Sequence, residues 1–161
     1  MGITVVGHRG ASGYRPENTL EAFELAFAQG ADAIELDLVP TKDGQLIIRH
    51  EPALNGTTNI SKINRYADRR STLEFDGEQF HDWFSHEFTA SEISELRARE
   101  RLPDLRPGSA KFDGEFAIPT LGDLLDAQFI DGKTVILEIK PGAEFATAMI
   151  PMVSILSRTL S

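Results

Sequence analysis

The chain of 161 residues contains no cysteine, which excludes disulfide bonds, thiolate metal sites and a cysteine nucleophile. It also has no apolar run near the roughly 18 residues that a membrane-spanning helix requires. Its 16 basic residues are outnumbered by 25 acidic ones, giving a formal net charge of −9. A nucleic-acid-binding surface needs a basic stripe, and this balance argues against one. The surplus of carboxylates is compatible with a site that binds a cation.

No signal peptide is recognisable in "MGITVVGHRG", which begins directly with a strand-like pattern. A periplasmic or secreted enzyme whose leader had been removed would show the same start. The lack of cysteine fits the bacterial periplasm and the cytoplasm equally. We therefore expect a periplasmic or secreted location if a leader was removed, and a cytoplasmic location otherwise.

Apolar periodicity predicts alternating strands and helices, the order typical of a parallel α/β sheet. Asn18 and Glu21 resemble a helix capping box, and Gly30 is a typical helix stop. Three parallel strands do not close a barrel, so the chain is predicted to be part of a larger unit. The predicted elements are strands at Ile3–Gly7, Ala33–Val39 and Thr134–Lys140, and helices after Asn18, at Thr120–Gln128 and at Glu144–Arg158.

The stretch "TKDGQLIIRH" follows the second strand and predicts a β-hairpin. Within it, Asp43 and Gly44 suit a two-residue type I′ turn. In the register that this turn sets, Asp37 lies opposite His50, with Cβ atoms about 5 Å apart. The hairpin is thus expected to return a histidine beside the second strand.

The stretch from about Glu51 to Ile118 is polar and lacks periodicity, and we interpret it as an insertion in a single incomplete domain, residues 1–161. Thr89 and Glu92 suit the cap of a helix predicted at Ala90–Arg99. The basic run "RARER" is expected to form the solvated side of that helix. The aromatic residues expected to anchor the insertion are Trp83, Phe84 and Phe88.

Ionisable side chains recur near the carboxyl end of each predicted strand. Because side chains alternate along a strand, Glu35 and Asp37 share one face of the second strand, and Glu138 and Lys140 share one face of the third. His8 follows the first predicted strand and continues the face of Thr4 and Val6. Parallel α/β folds place their active sites at this edge. One such charge would be an ordinary surface group, but three strands that repeat the arrangement predict a site.

Glu35, Asp37 and Glu138 offer only hard oxygen ligands, which suit one divalent cation, Ca²⁺ or Mg²⁺, better than zinc. Without a cation, three facing carboxylates would repel one another and some would have to stay protonated. These three residues are therefore the predicted metal ligands, and the choice between the two ions stays open.

The remaining polar groups suit chemistry on a phosphate ester. Arg9 and Lys140 can hold an anionic phosphate oxygen. His8 and His50 can act as acid and base, because imidazole titrates near neutral pH. Cleavage of a phosphodiester is the reaction that this set of groups predicts.

The motifs also resemble those of a known family, the glycerophosphodiester phosphodiesterases. The resemblance rests on His8-Arg9-Gly10, "RPENTLEAF", Glu35-Leu36-Asp37, "TKDGQLIIRHEP", "PTLGDLLD" and "LEIKP". It covers the N-terminal part of the family's domain. The segment "FTASEISELRARERLPDLR" is similar to the branch that includes periplasmic bacterial enzymes.

The resemblance implies a TIM-type β/α barrel, of which this chain holds an N-terminal portion with about three βα units. It implies hydrolysis of a small-molecule glycerophosphodiester, such as glycerophosphocholine, to glycerol 3-phosphate and an alcohol. His8 and His50 would be the acid and base, with Glu35, Asp37 and Glu138 on the metal and two cationic residues on the phosphate. Neither a nucleic-acid partner nor stable membrane insertion is implied.

Two other functions stay open from the sequence. One is a phospholipase of the same barrel superfamily, although the polar insertion offers few apolar loops that would face a membrane. The other is a non-catalytic fragment that binds a metal ion or a phosphodiester. The leaving alcohol, the oligomeric state and the activity of this chain without the rest of the barrel are likewise left open.

Overall fold

The computed structural model describes residues 2–75, 78–139, 156–157 and 159–160. Lys140 and nearly all of the predicted helix at Glu144–Arg158 lie outside the described residues. Within the described part, the helices are all too short or too polar to cross a membrane. The elements are β1 (Val6–His8), α1 (Leu20–Ala28), β2 (Ala33–Pro40), β3 (Leu46–Ile48), β4 (Ser71–Phe75), β5 (Glu78–Asp82), α2 (Ala90–Ile93), α3 (Pro107–Ala110), α4 (Leu121–Leu125) and β6 (Thr134–Ile139).

Strand β2 lies at the centre of the main sheet. It pairs in parallel with β1 and with β6, and antiparallel with β3. The predicted parallel order is therefore confirmed, although β1 begins at Val6 and includes His8, later than the predicted strand at Ile3–Gly7. Buried side chains on one face of β2 pack into the core, as the alternation predicted: Ile34, Leu36 and Leu38.

Helix α1 packs its apolar face into the same core. Its fully buried Phe23 belongs to the cluster that contains the apolar face of β2. The cap differs from the sequence prediction, because Thr19, not Asn18, accepts a hydrogen bond from the backbone N–H of Ala22. Asn18 precedes the cap and is free to serve a tertiary contact.

The hairpin of β2 and β3 has a register different from the predicted one. Leu38 pairs with Ile48, so Arg49 and not His50 lies opposite Asp37. The backbone N–H of Arg49 donates to the carbonyl oxygen of Asp37 at 2.9 Å. The prediction was wrong by one residue, and a one-residue shift reverses which face each later side chain occupies.

The turn explains this shift. A type I′ turn requires positive φ at both central residues, whereas only Gly44, and not Asp43, has positive φ, at 74°. The N–H of Gly44 donates to the carbonyl oxygen of Thr41 at 3.1 Å. This pattern is typical of a three-residue loop, a type I turn followed by a glycine in a G1 bulge. The extra residue moves the returning strand by one position.

The insertion is irregular but well packed. It consists mainly of short 3₁₀ turns, with the β4–β5 hairpin and two helices of one turn each. Helix α2 has the predicted capping box of Thr89 and Glu92 but ends at Ile93, so the longer helix predicted at Ala90–Arg99 was wrong. The predicted aromatic anchors are all buried: Trp83, Phe84 and Phe88.

Candidate functional site

The carboxyl ends of the parallel strands bring the three predicted metal ligands together. In the sheet register, His8 pairs with Glu35, and Asp37 pairs with Glu138. One oxygen of each of Glu35, Asp37 and Glu138 lies within 4.8 Å of the others. Strand alternation and parallel pairing together are sufficient to place these carboxylates at one edge of the sheet.

The carboxylate cluster is partly withdrawn from solvent. Asp37 is fully buried, Glu35 is half-buried and Glu138 is exposed. Burial, followed by the charge of Asp37, raises the pKa of Glu35, and Glu138 adds to the effect. Oε1 of Glu35 is buried without a hydrogen-bond partner among the described residues. A hard divalent cation would satisfy that oxygen and relieve the repulsion, so the donor set fits such an ion.

The turn after β1 places Arg9 in contact with two of these carboxylates. Arg9 adopts a left-handed backbone, with φ of 59°, and its N–H donates to the carbonyl oxygen of Glu35 at 3.0 Å and to Oε2 of the same residue at 3.1 Å. Its guanidinium lies 3.4 Å from Oδ2 of Asp37 and donates to Oε1 of Glu17 at 3.1 Å. Arg9 therefore offsets part of the negative charge at the strand ends.

Gly10 allows this turn to approach α1 closely. Its φ is 80°, and a Cβ atom at this position would lie 2.6 Å from the backbone of Ala22. No side chain fits that gap, because real Cβ contacts are not so short. The "HRG" sequence thus combines two ionisable side chains with the one residue that lets the turn sit against the helix.

Asn18 is a site residue that the sequence analysis did not identify. Its side-chain Nδ2 donates to Oδ2 of Asp37 at 3.0 Å, and its backbone N–H donates to the carbonyl oxygen of Arg9 at 3.0 Å. It has a positive φ of 58°, which asparagine tolerates better than most residues. The neighbouring Thr19 can fill the cap, and this was the available signal that Asn18 had another role.

The two predicted histidines lie in different surroundings. His8 has a side chain that is 67% exposed, with Nε2 at 3.8 Å from Oε2 of Glu35. His50 is more enclosed and lines one narrow crevice together with Glu17 and Asn18. Despite the changed register, the chain leaving β3 brings His50 to the residues that support Arg9 and Asp37.

A guanidinium from the insertion contacts Glu17, a residue that lines this crevice. Arg101 donates hydrogen bonds to both carboxylate oxygens of Glu17 and to both of Glu51, and Glu51 in turn contacts His50. The expectation that the "RARER" run forms a solvated helix side was wrong for this residue. Arg101 lies beyond the end of α2, in a segment without helical structure.

These contacts alter the titration of both glutamates. Burial acts to raise the pKa of Glu17, but the hydrogen bond and charge of Arg101, with the charge of Arg9, outweigh it and lower that pKa. Burial acts the same way on Glu51, and Arg101 together with His50 lowers the pKa of Glu51 to about 2. Both carboxylates are therefore ionised at neutral pH.

Comparison with known proteins gives a consistent family. Residues 8–150 match the glycerophosphoryl diester phosphodiesterase family. A glycerophosphodiester phosphodiesterase of Arabidopsis thaliana is 35% identical over 120 residues, which are 74% of this chain and 32% of that protein.

Solved structures agree. A Silicibacter pomeroyi protein named as a glycerophosphoryl diester phosphodiesterase is 30% identical with a TM-score of 0.72, covering 98% of this chain and 52% of that one. An Oleispira antarctica phosphodiesterase, in complex with the product sn-glycerol-3-phosphate, is 25% identical with a TM-score of 0.61, covering 98% and 53%. This chain spans about a third of the Arabidopsis protein and about half of each solved chain.

These likenesses identify the sheet of β1, β2 and β6 with its helices as a portion of a TIM-type β/α barrel, as the resemblance implied. The family match covers both the strand ends and the insertion, since it runs from the histidine of the first strand to beyond the last. The chain belongs to the glycerophosphoryl diester phosphodiesterase family.

Proposed function

We propose that this protein is a metal-dependent phosphodiesterase that hydrolyses glycerophosphodiesters to glycerol 3-phosphate and an alcohol. Family membership supports the reaction class. The solved relative from Oleispira antarctica carries sn-glycerol-3-phosphate as its product, which supports the same product here. The observation that carries the proposal is the carboxylate cluster at the strand ends, within reach of an arginine and a histidine.

Enzymes of this family use a divalent metal. In this chain Glu35, Asp37 and Glu138 would hold it, because their oxygens converge and Oε1 of Glu35 is buried without a hydrogen-bond partner among the described residues. When bound, the cation would neutralise charge on a phosphate oxygen and favour attack at phosphorus. Ca²⁺ and Mg²⁺ both suit the oxygen ligands that these residues would offer.

The histidines would transfer protons in the proposed reaction. His8 lies at the exposed mouth of the cluster, where it can reach a bound diester. His50 is half-enclosed, and its Nδ1 already contacts a carboxylate, which leaves Nε2 to exchange a proton with substrate. One of the two would accept the proton of the substrate's glycerol hydroxyl as it attacks phosphorus, and the other would supply a proton to the departing alcohol. Water would then open the resulting cyclic phosphate to give glycerol 3-phosphate. The order of these two roles stays a prediction.

Phosphate recognition would fall to Arg9 and to Lys140. The guanidinium of Arg9 is side by side with Asp37 and Glu17, so it is held rigidly before substrate arrives. A pre-oriented guanidinium loses little conformational freedom when it binds an anion. The role of Lys140 stays a prediction from the sequence alone.

Metal binding is the first test, because all three predicted ligands lie on strands of this chain and binding does not require a complete substrate pocket. Calorimetric titration of the chain with CaCl₂ and with MgCl₂ should show one site. Asp37→Asn should weaken it by more than the roughly 10- to 100-fold typical of losing an outer-shell partner. Glu78→Gln removes an exposed carboxylate on β5 and should bind as the unaltered chain does. Equal binding by all three chains would contradict the assigned ligands.

Turnover is the second test. The chain is incubated with glycerophosphocholine and Ca²⁺, Mg²⁺ or a chelator, and released glycerol 3-phosphate is measured beside the His50→Ala variant. Metal-dependent release that His50→Ala abolishes would support the mechanism. Metal binding without release would favour the non-catalytic alternative for this chain. Release of glycerol 3-phosphate that neither the chelator nor the His50→Ala substitution reduces would overturn the proposal.

A further inference from the structure

Arg101 occupies a position that neither the family motifs nor the proposed chemistry assigns. Its guanidinium lies between two carboxylates and donates to all four of their oxygens. The distances are 2.9 and 2.7 Å to Glu17, and 2.6 and 2.6 Å to Glu51. Such paired hydrogen bonds fix the direction of a carboxylate as well as its charge. Glu17 is 84 residues away in sequence and Glu51 is 50 residues away.

Each of these carboxylates also holds a residue of the proposed active site. Oε1 of Glu17 accepts a hydrogen bond from Nη1 of Arg9 at 3.1 Å. Oε1 of Glu51 lies 2.7 Å from Nδ1 of His50. Arg101 itself contacts neither Arg9 nor His50 through these bonds, so any effect on them passes through the two glutamates.

The ionisation state of Glu51 determines which ring nitrogen of His50 carries the proton. With its pKa lowered to about 2, Glu51 is ionised at neutral pH and can only accept hydrogen bonds. The short contact therefore requires the proton of the neutral imidazole to sit on Nδ1. Nε2 is then the unprotonated nitrogen, and its lone pair is available to take a proton.

Without Arg101, this arrangement would lose its support. Glu17 and Glu51 repel each other, and the charge of Glu51 acts to raise the pKa of Glu17. The side chain of Glu51 is 36% exposed, so once released it can rotate into solvent and leave His50 without an oriented acceptor. Without the hydrogen bonds from Arg101, Glu17 would likewise lose its fixed position beside Arg9.

We infer that Arg101 of the insertion is a positioning residue that orients His50 by clamping Glu51 and, through Glu17, holds Arg9 at the strand ends. The inference rests on the proposed function for its consequence in turnover, but the tautomer of His50 is a property of the chain itself. The insertion thus contributes to proton transfer without contacting substrate.

The test measures the His50 tautomer and turnover separately. Long-range ¹H–¹⁵N spectra of chain labelled at its four histidines, taken at alkaline pH where imidazole is neutral, report which nitrogen carries the proton. A His50→Gln chain assigns the signal. The unaltered chain should show His50 protonated at Nδ1, and Arg101→Gln should show a mixture of both tautomers. Arg99→Gln is the matched control, because that guanidinium lies 3.8 Å from Asp113 and is not part of the clamp.

Steady-state kinetics provide a second test of the same inference, in any form of the protein that shows turnover. Arg101→Gln should lower kcat about 10- to 100-fold with little change in KM, as for loss of a group that orients a catalytic partner. Added guanidinium ion should partly restore kcat and the Nδ1 signal in Arg101→Ala, which a merely structural role would not predict.

The outcomes separate this inference from the proposed function. A changed tautomer in Arg101→Gln without turnover in any chain would support the positioning role and contradict the reaction. An unchanged Nδ1 signal in Arg101→Gln would overturn the positioning role, whatever the activity. If Arg101→Gln does not fold, Glu51→Ala removes the acceptor directly, and retention of the Nδ1 signal there would also overturn the inference.

Discussion

The strand region, residues 2–50 and 119–139, and the insertion, residues 51–118, bury their apolar side chains by different means. The strand region uses the alternation of β2 and the face of α1. The insertion uses short 3₁₀ turns and helices of one turn, yet residues of both regions belong to a single apolar cluster. A lack of periodicity therefore predicts irregular structure and does not predict poor packing.

The two regions also differ in what they contribute to the site. The strand ends supply the carboxylate cluster, whose members repel one another. The insertion supplies Arg101, which joins two carboxylates that would otherwise repel. Carboxylates predominate at the strand ends, where Arg9 offsets part of their charge, and Arg101 of the insertion adds positive charge nearby.

The largest loss of stability is expected when one buried aromatic side chain is truncated in each region. Phe23→Ala in α1 and Phe88→Ala in the insertion each remove a fully buried ring, and each should lower the free energy of unfolding by about 3–5 kcal/mol. Urea unfolding, followed by circular dichroism and by the fluorescence of Trp83, measures both. Phe80→Ala, at a ring that is 42% exposed, should cost under about 1 kcal/mol. Two separate transitions would show that the insertion unfolds independently.

A smaller loss of stability is expected at the turn between β2 and β3. Gly44→Ala places a side chain at φ of 74° and should cost about 1–2 kcal/mol, because the left-handed conformation is unfavourable for residues with a Cβ atom. Gly56→Ala in the insertion, at a glycine with open space and no positive φ, is the control and should change stability little. Urea unfolding compares the two. A negligible cost at residue 44 would contradict the G1 bulge.

Acid should weaken the clamp of Arg101. The pKa of Glu51 is lowered from 4.5 to about 2, so the folded chain binds this proton less tightly than the unfolded chain does. The clamp's stabilisation is present above about pH 4.5 and is lost as the pH falls towards 2. Arg101→Gln should therefore flatten the pH dependence of the unfolding free energy in that window. An identical slope in the variant would show that Arg101 does not cause it.

The smallest change in stability is expected at Glu35, and its dependence on pH has the opposite sign to that of Glu51. Its pKa is raised, so its contribution to stability is present below pH 4.5 and is lost as the pH rises through the folded-state value. With a chelator present at neutral pH, Glu35→Gln should raise the midpoint of urea unfolding slightly, and the gain should vanish in acid. Glu24→Gln, at an exposed position of α1, is the control. A lower midpoint for Glu35→Gln would mean that the carboxylate stabilises the chain without metal.

Much of the strand region could be predicted because its signals are local. The alternation of Ile34, Leu36 and Leu38 with Glu35 and Asp37 needs no knowledge of other segments. The helix cap was harder, because Asn18 and Thr19 are both good caps, and the contact of Asn18 with Asp37 decided between them. Local patterns leave such choices open when two neighbouring residues satisfy the same rule.

The acidic face of β2 and β6, and a histidine near the carboxyl end of the first strand, follow from the sequence alone, because the alternation of side chains in a strand is a property of the backbone. The hairpin register, the partner of Asn18 and the place of Arg101 depend on tertiary contacts. The added turn residue reverses the faces of β3 relative to the predicted register. The clamp joins Arg101 to Glu51, 50 positions away, and to Glu17, 84 positions away. Such contacts depend on the path of the whole insertion, which no short stretch of sequence specifies.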